Sequence, residues 1–350
     1  MASATHYRLK GIISGLFVSL LLWGCQKKHP QNIRKAFYYW KTHYHVSAYE
    51  QSRLDSFHCN TVYVRFFDIS WQQKQNKPVP IAISDIKTID QQNRYIPVIF
   101  ITQQVIENIQ PSNIEQFVKN FTQLLHQKCI QARITPSEIQ IDLDWTKTTK
   151  DKYFKLLALC KKQPFFQGKT LSCTIRLHQL RYIKANGIPP VDRGLLMCYN
   201  MGDLKLSGTH NSILDLSVAK KYFAYVEQYP LPLDLAFPLF DWSLLYDQKN
   251  RFTGILRGIS LPDLQNSTIF NRLNNNLYQV KIDTVMNGYH LQPTSTIRYE
   301  SCDINQLTEL AKILQGRVPG LSTLIFYHLD SSILSNYTNH ELEEIYNTIH

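Results

Sequence analysis

The stretch Ile139-Gln140-Ile141-Asp142-Leu143-Asp144-Trp145-Thr146 constrains the fold of this chain more than any other. Apolar and polar residues alternate through it, the period-two pattern of a strand with unlike faces. One face carries Ile139, Ile141, Leu143 and Trp145, and the other carries two carboxylates. Acids two residues apart on a strand point the same way and lie about 7 Å apart, from a rise of ~3.3–3.4 Å per residue. Like charges that close raise at least one pKa unless a cation or a hydrogen-bond donor intervenes. Two readings follow. The acids are a buried, hydrogen-bonded structural pair, or they mark a site at the carboxyl end of a barrel strand.

The flanking sequence favours a barrel. Apolar, β-branched and aromatic runs predict further strands at 36–42, 60–68, 95–102, 170–178, 195–201, 233–242 and 321–330. Between them, helical spacing covers 48–57, 114–132, 152–161 and 217–227, with later helices at 304–314 and 339–349. The segment after the second strand, 78–90, is polar and Pro-containing and reads as a weak helix at best. Eight strands alternating with helices predict an α/β fold, a (β/α)8 TIM barrel over 35–350. A β-containing insertion at 246–303 separates strands seven and eight, with Asn287-Gly288 as a turn signal. Such insertions shape the mouth of a barrel.

Arg8 and Lys10 precede an apolar run from Gly11 to Trp23, which ends at Gly24-Cys25. A basic segment followed by a short apolar one reads as an export signal, and the run is short of the ~20 residues of a membrane span. The expectation is a signal peptide at 1–24, lipidation of Cys25 after cleavage, and a polar tether over 25–34. This places the protein in the bacterial cell envelope, lipid-anchored at the outer membrane.

Lys and Arg number 38 against 27 acids, a formal charge of +11, but no dense basic run and no nucleic-acid motif occurs. The surplus favours anionic surfaces or acidic polymers rather than nucleic acid. The seven cysteines form no C-x-x-C pair, and most lie in apolar segments, as buried thiols do. No G-x-G-x-x-G, phosphate loop, H-E-x-x-H or G-x-S-x-G is present, so no cofactor or metal is expected.

The 139–146 stretch resembles the fourth-strand signature D-G-x-D-x-D-x-E of glycoside hydrolase family 18, the chitinase-like barrels. Asp142 and Asp144 match its second and third acids, while Thr146 stands where the family has its general acid Glu, and Ile139 and Gln140 replace the first Asp and Gly. Met197-Cys198-Tyr199-Asn200 resembles the family's sixth-strand M-x-Y-[DN]. The D-x-D-x-T run is also similar to that of bacterial barrel lipoproteins related to these hydrolases. The resemblance implies that Asp144 assists the reacting acetamido group, that Asp142 is a deeper structural acid, and that Tyr199 and Asn200 position substrate. Thr146 cannot protonate a leaving group, so hydrolysis needs another acid.

Chemistry in such barrels sits at the carboxyl ends of the strands. Those ends collect Trp40, Arg65, Asp68, Trp71, Asp144, Trp145, Arg176, His178, Tyr199, Asn200, Asp203, Asp241, Trp242, His328 and Asp330. Aromatic faces beside carboxylates and amides suit the faces and hydroxyl edges of sugar rings. Trp40, Arg65, Asp68, Arg176, Asn200 and Trp242 are the candidate glycan contacts, and Asp241 is the favoured substitute acid, ahead of Asp68, Asp203 and Asp330. Trp145 shares the apolar face of its strand and reads as core. Tyr199 either positions substrate or fills the barrel. Arg176 either reaches the site or neutralises Asp142 or Asp144, and His178 reads as a simple hydrogen-bonding residue. The expected protein binds or hydrolyses a glycan at the barrel mouth. The alternative is a non-catalytic glycan-binding or envelope-scaffold lipoprotein that has lost the catalytic Glu.

Overall fold

Eight parallel strands close on themselves in the computed structural model, which describes residues 33–87 and 89–349. They are β1 (Arg34–Tyr39), β2 (Thr61–Gln72), β4 (Arg94–Ile101), β5 (Glu138–Asp142), β6 (Thr170–Ile175), β7 (Arg193–Met197), β8 (Leu233–Pro238) and β16 (Thr323–Tyr327). Parallel pairing of β1 with both β2 and β16 completes the ring. Outside it pack helices such as Ile114–Gln131, Lys150–Lys162, Ile304–Leu314 and Asn339–Ile349, each burying one apolar stripe. The protein is a (β/α)8 barrel. The six cysteines among the described residues are buried and unpaired. No helix among the described residues is long and apolar enough to cross a membrane.

The barrel interior is unusually polar for a packed core. Glu138, Gln140 and Asp142 on β5, Ser172 and Thr174 on β6, and Asp234 on β8 are all buried. Each carboxylate finds a donor. Ser172 Oγ reaches Glu138 at 2.7 Å, and the Thr323 amide reaches Asp234 at 2.7 Å. The Tyr38 hydroxyl hydrogen-bonds the Gln140 carboxamide. These bonds make such a column tolerable inside a core, while Gln140 Nε2 is buried with no partner among the described residues.

Two segments differ from the sequence reading. The Pro-containing stretch after β2 is an antiparallel strand, β3 (Lys77–Ile81), paired to the end of β2. Its prolines, Pro78 and Pro80, fit an edge strand, where the missing N–H costs least. The seventh strand ends at Pro238, so Asp241 lies in the short link after it and Trp242 begins a separate sheet.

That sheet is the insertion. Strands β9 (Trp242–Tyr246), β10 (Phe252–Leu256), β11 (Phe270–Arg272), β12 (Leu277–Val280) and β15 (Thr296–Glu300) form it in the order β10-β9-β15-β12-β11. A separate hairpin pairs β13 (Thr284–Met286) with β14 (Tyr289–Leu291). Its turn residues Asn287 and Gly288 have φ of 50° and 82°, the left-handed pair that a two-residue hairpin turn demands. The insertion has its own small core of Leu256, Ile259, Leu264, Phe270, Tyr278, Val280, Leu291 and Ile297.

Candidate functional site

β5 stops at Asp142, so Asp144, Trp145 and Thr146 stand on the loop beyond it. Asp142 is 4% exposed and accepts a 2.6 Å hydrogen bond from Thr174 Oγ1. Burial and then the neighbouring Asp144 charge push its pKa up to about 6, against the opposing pull of Arg176 and Thr174. Asp144 is more exposed and is gripped by Arg176 through two parallel bonds, Nε to Oδ1 and Nη2 to Oδ2, the latter 2.8 Å. Arg176 is therefore bidentate on Asp144 rather than on Asp142. The same pairing pushes the Arg176 pKa up in spite of its burial. The residue is not on β6, as the sequence spacing predicted; it precedes the short helix Leu177–Arg181, which also carries His178.

Thr146 has its hydroxyl in a hydrogen-bonded set with the hydroxyls of Thr148 and Thr149, at 2.9 and 3.3 Å. This set opens the turn that leads into helix Lys150–Lys162. Trp145 is fully buried, stacks on Tyr153 at 5.3 Å and donates Nε1 to the Asn186 carbonyl at 2.9 Å. It is core, as its strand face indicated. His178 lines a small pocket of about 360 Å³ with Asp144, Thr146, Arg176, Tyr199 and Asn200, and burial lowers its pKa.

The main cavity opens next to this pocket. Its volume is about 1340 Å³, and its walls include Tyr38, Trp40, Asp142, Arg176, Tyr199, Asn200, Asp241, Trp242, Tyr299, Tyr327, His328 and Asp330. The barrel mouth thus brings together most of the candidates drawn from the strand ends. An arc of rings runs along it. Trp40 meets Tyr327 at 5.8 Å, Tyr327 meets Tyr199 at 5.7 Å and Phe240 at 5.6 Å, and Phe240 meets Trp242 at 5.3 Å. Asn200 holds its place beside Tyr199 at φ 57°, a left-handed conformation that Asn tolerates well.

Arg65 and Asp68 are present in this region as a mutual ion pair, with a 2.6 Å bond from Nε to Oδ1. The guanidinium lies 5.6 Å from the Trp40 ring centre and braces it. Trp71 lies past them on the β2–β3 hairpin, paired opposite Pro78. Asp203 is exposed on a loop, where it accepts the Lys205 amide at 2.8 Å. Asp330 caps a short helix and pairs with Lys41 at 2.8 Å. Lys41 and Ser332 hold its carboxyl at about 2, against the effect of burial, so it is no proton donor near neutral pH.

Asp241 differs from all of these. It is half-buried in the cavity wall, burial pushes its pKa up, and the Tyr299 hydroxyl hydrogen-bonds it. Trp242 beside it donates Nε1 to Glu300 at 2.7 Å. Tyr38, Phe240, Tyr299 and Tyr327 were not singled out from sequence. The aromatic run through Tyr38-Tyr39-Trp40 was a usable signal for the first. Tyr299 had none, because it reaches the mouth only through the fold of the insertion. Among the described residues, no group of three or more His, Cys, Asp or Glu is placed to hold a metal ion.

Neither a family model nor a curated protein matches the sequence. Solved structures do. A chitinase from Chromobacterium violaceum superposes with a TM-score of 0.56 at 11% identity, over 90% of this chain and 99% of that one. The GH18 chitinase ChiB from the chitin utilization locus of Flavobacterium johnsoniae gives 0.53 at 11%, over 91% and 94%. The spore cortex-lytic enzyme SleL of Bacillus cereus gives 0.53 at 11%, over 91% and 74%. At these identities the likeness is one of fold alone.

Proposed function

We propose that this chain is an exported, lipid-anchored glycan-binding protein built on a family 18-like barrel, with hydrolysis absent or very weak. The observation that carries the reading is the state of the two positions that follow Asp142 in the motif. Thr146 stands where the resembled motif has its proton donor, and Asp144 is neutralised by the bidentate Arg176. General acid catalysis is typically worth ~10²–10⁴-fold, and a hydroxyl held among other hydroxyls cannot supply it. What remains at the mouth is a large cavity with an aromatic arc and scattered hydrogen-bonding groups, a lining suited to sugar rings.

Purified protein titrated and incubated with chromogenic chito-oligosaccharides tests this directly. Binding with little or no turnover is expected, and Thr146→Glu alone leaves turnover absent, because a Glu there meets like charges in a site not shaped to hold it. Turnover by the mutant alone would mean an otherwise intact catalytic frame. Robust turnover by the wild type would favour a second reading, a hydrolase with a relocated acid. That reading rests on Asp241, the mouth carboxyl with a raised pKa and no cation beside it.

The anchor is the other half of the proposal. The segment ending in Leu22-Trp23-Gly24-Cys25 lies outside the described residues, so this half rests on sequence. Cys25→Ser is expected to release the protein from the membrane fraction. A mutant that matures and stays membrane-bound like the wild type would rule lipidation out.

A further inference from the structure

We infer that a second, carboxamide-lined pocket beside the mouth is a binding subsite for additional neutral sugar units of the glycan that occupies the main cavity. The inference rests on the glycan reading above and extends it to chain length.

The pocket has a volume of about 720 Å³ and shares Leu261, Tyr299, Ser301 and Asp303 with the main cavity. The two spaces are therefore neighbours across a common wall. Tyr299 joins them chemically as well, since its hydroxyl bonds Asp241 in the mouth. A chain leaving the mouth past Asp241 crosses this ring and enters the second pocket.

The lining selects for a class of ligand. Asn211, Asn274, Asn275, Asn276 and Gln306 contribute five carboxamides. Each carboxamide offers two N–H donors and a carbonyl acceptor, matching sugar hydroxyls, which also donate and accept. No Lys, Arg or His lines the pocket, so nothing there compensates an anion, and its two acids are already engaged, Glu300 by Arg298 and Asp303 by the Gln306 amide at 2.9 Å. Leu261 is its sole aliphatic side chain, so an apolar ligand gains little.

The pocket is also held in shape. Asn276 Nδ2 donates to the Thr209 carbonyl at 3.1 Å, and Asn211 Nδ2 donates to the Ser301 carbonyl at 2.7 Å. Asn274 Oδ1 accepts the amides of Asn276 and Leu277 at 3.1 and 3.0 Å. These bonds fix three of the carboxamides to backbone. The Asn275 carboxamide makes no hydrogen bond among the described residues and is exposed to the pocket. It is the group free to meet a ligand.

Calorimetric titration of the full chain with chito-oligosaccharides, from the disaccharide to the hexasaccharide, tests the subsite. Affinity is expected to rise with length. Asn275→Ala should lose that gain for the longest chains, on the order of tenfold for one or two hydrogen bonds, and bind the disaccharide unchanged. Asn275→Trp, which fills the pocket from an exposed position, should abolish the gain. Wild-type affinity that does not depend on length, or both variants matching the wild type at every length, would overturn the subsite while short-chain binding left the glycan reading standing. Wild type that bound no oligosaccharide of any length would overturn the glycan reading, and the subsite with it.

Discussion

The two walls of the mouth are built from the same parts in opposite order. On the β5–β6 wall the ion pair, Arg176–Asp144, stands at the opening with side chains 22% and 43% exposed, while the unpaired acid, Asp142, is buried below it. On the insertion wall the ion pair, Arg298–Glu300, is completely buried, and the acid without a cation, Asp241, faces the cavity. A carboxylate locked to a guanidinium keeps its charge and gives up little else. Burial pushes the Asp241 carboxyl up from its ordinary range, toward the protonated form. Both acids line the cavity, but Asp142 lies almost wholly buried at 4% exposure on one wall, while half-buried Asp241 is the more accessible on the other.

The largest expected effect tests the buried pair. Arg298→Met leaves Glu300 as an uncompensated buried charge and is expected to cost about 3–5 kcal/mol, seen as a lowered urea midpoint. A loss within ordinary surface-mutant range would show that Glu300 is satisfied by Ser212 and Trp242 alone, and would break the contrast between the walls.

Next is the pH dependence of Asp142. Its folded pKa of about 6 lies above the unfolded value, so the folded state holds a proton that the unfolded chain has released. The contribution is fully present below about pH 4 and is lost as pH rises through about 6, up to roughly 3 kcal/mol at 1.36 kcal/mol per pKa unit. Melting of the wild type should show this fall, and Asp142→Asn should remove it. The opposite slope would mean that Arg176 governs both acids.

The smallest effect on stability belongs to the partly exposed pair. Arg176→Gln should cost less than Arg298→Met, on the order of 1 kcal/mol, because Asp144 stays 43% exposed and can be solvated. It should also move the pH midpoint assigned to Asp142 upward, because the Arg176 charge pulls that pKa down. An unchanged midpoint in the same melting series would separate Arg176 from Asp142 electrostatically.

The barrel was legible because its code is local. Period-two runs and amphipathic stripes such as Ile114–Gln131 do not depend on distant partners. Strand ends were less so, because alternation continues past the last ladder bond. It carried the fifth strand to His178, where the structure places a helix from Leu177, and it carried the seventh to Trp242 across a short link. The choice of Arg176's partner was open in sequence, since both acids share one strand face. It is decided by the end of β5, which releases Asp144 toward the loop that carries the arginine. Asp241's partner could not be read at all. Tyr299 comes to it through a long insertion whose fold no local pattern encodes.

The loop between β7 and helix Leu216–Phe223 has a further consequence. Arg298 Nη1 holds the Leu206 carbonyl at 2.6 Å, the Tyr246 hydroxyl holds the Leu204 carbonyl at 2.8 Å, and Glu300 holds the Ser212 amide at 2.9 Å. At Gly202 an added Cβ would sit 2.8 Å from the Ser212 Cα, so the loop's own two ends are pressed together. A rim fastened at that many points does not have to be ordered when a ligand arrives. The entropy of closing is already spent, and association should proceed at the rate of simple encounter. Differences in affinity between ligands should then be written in how long each one stays.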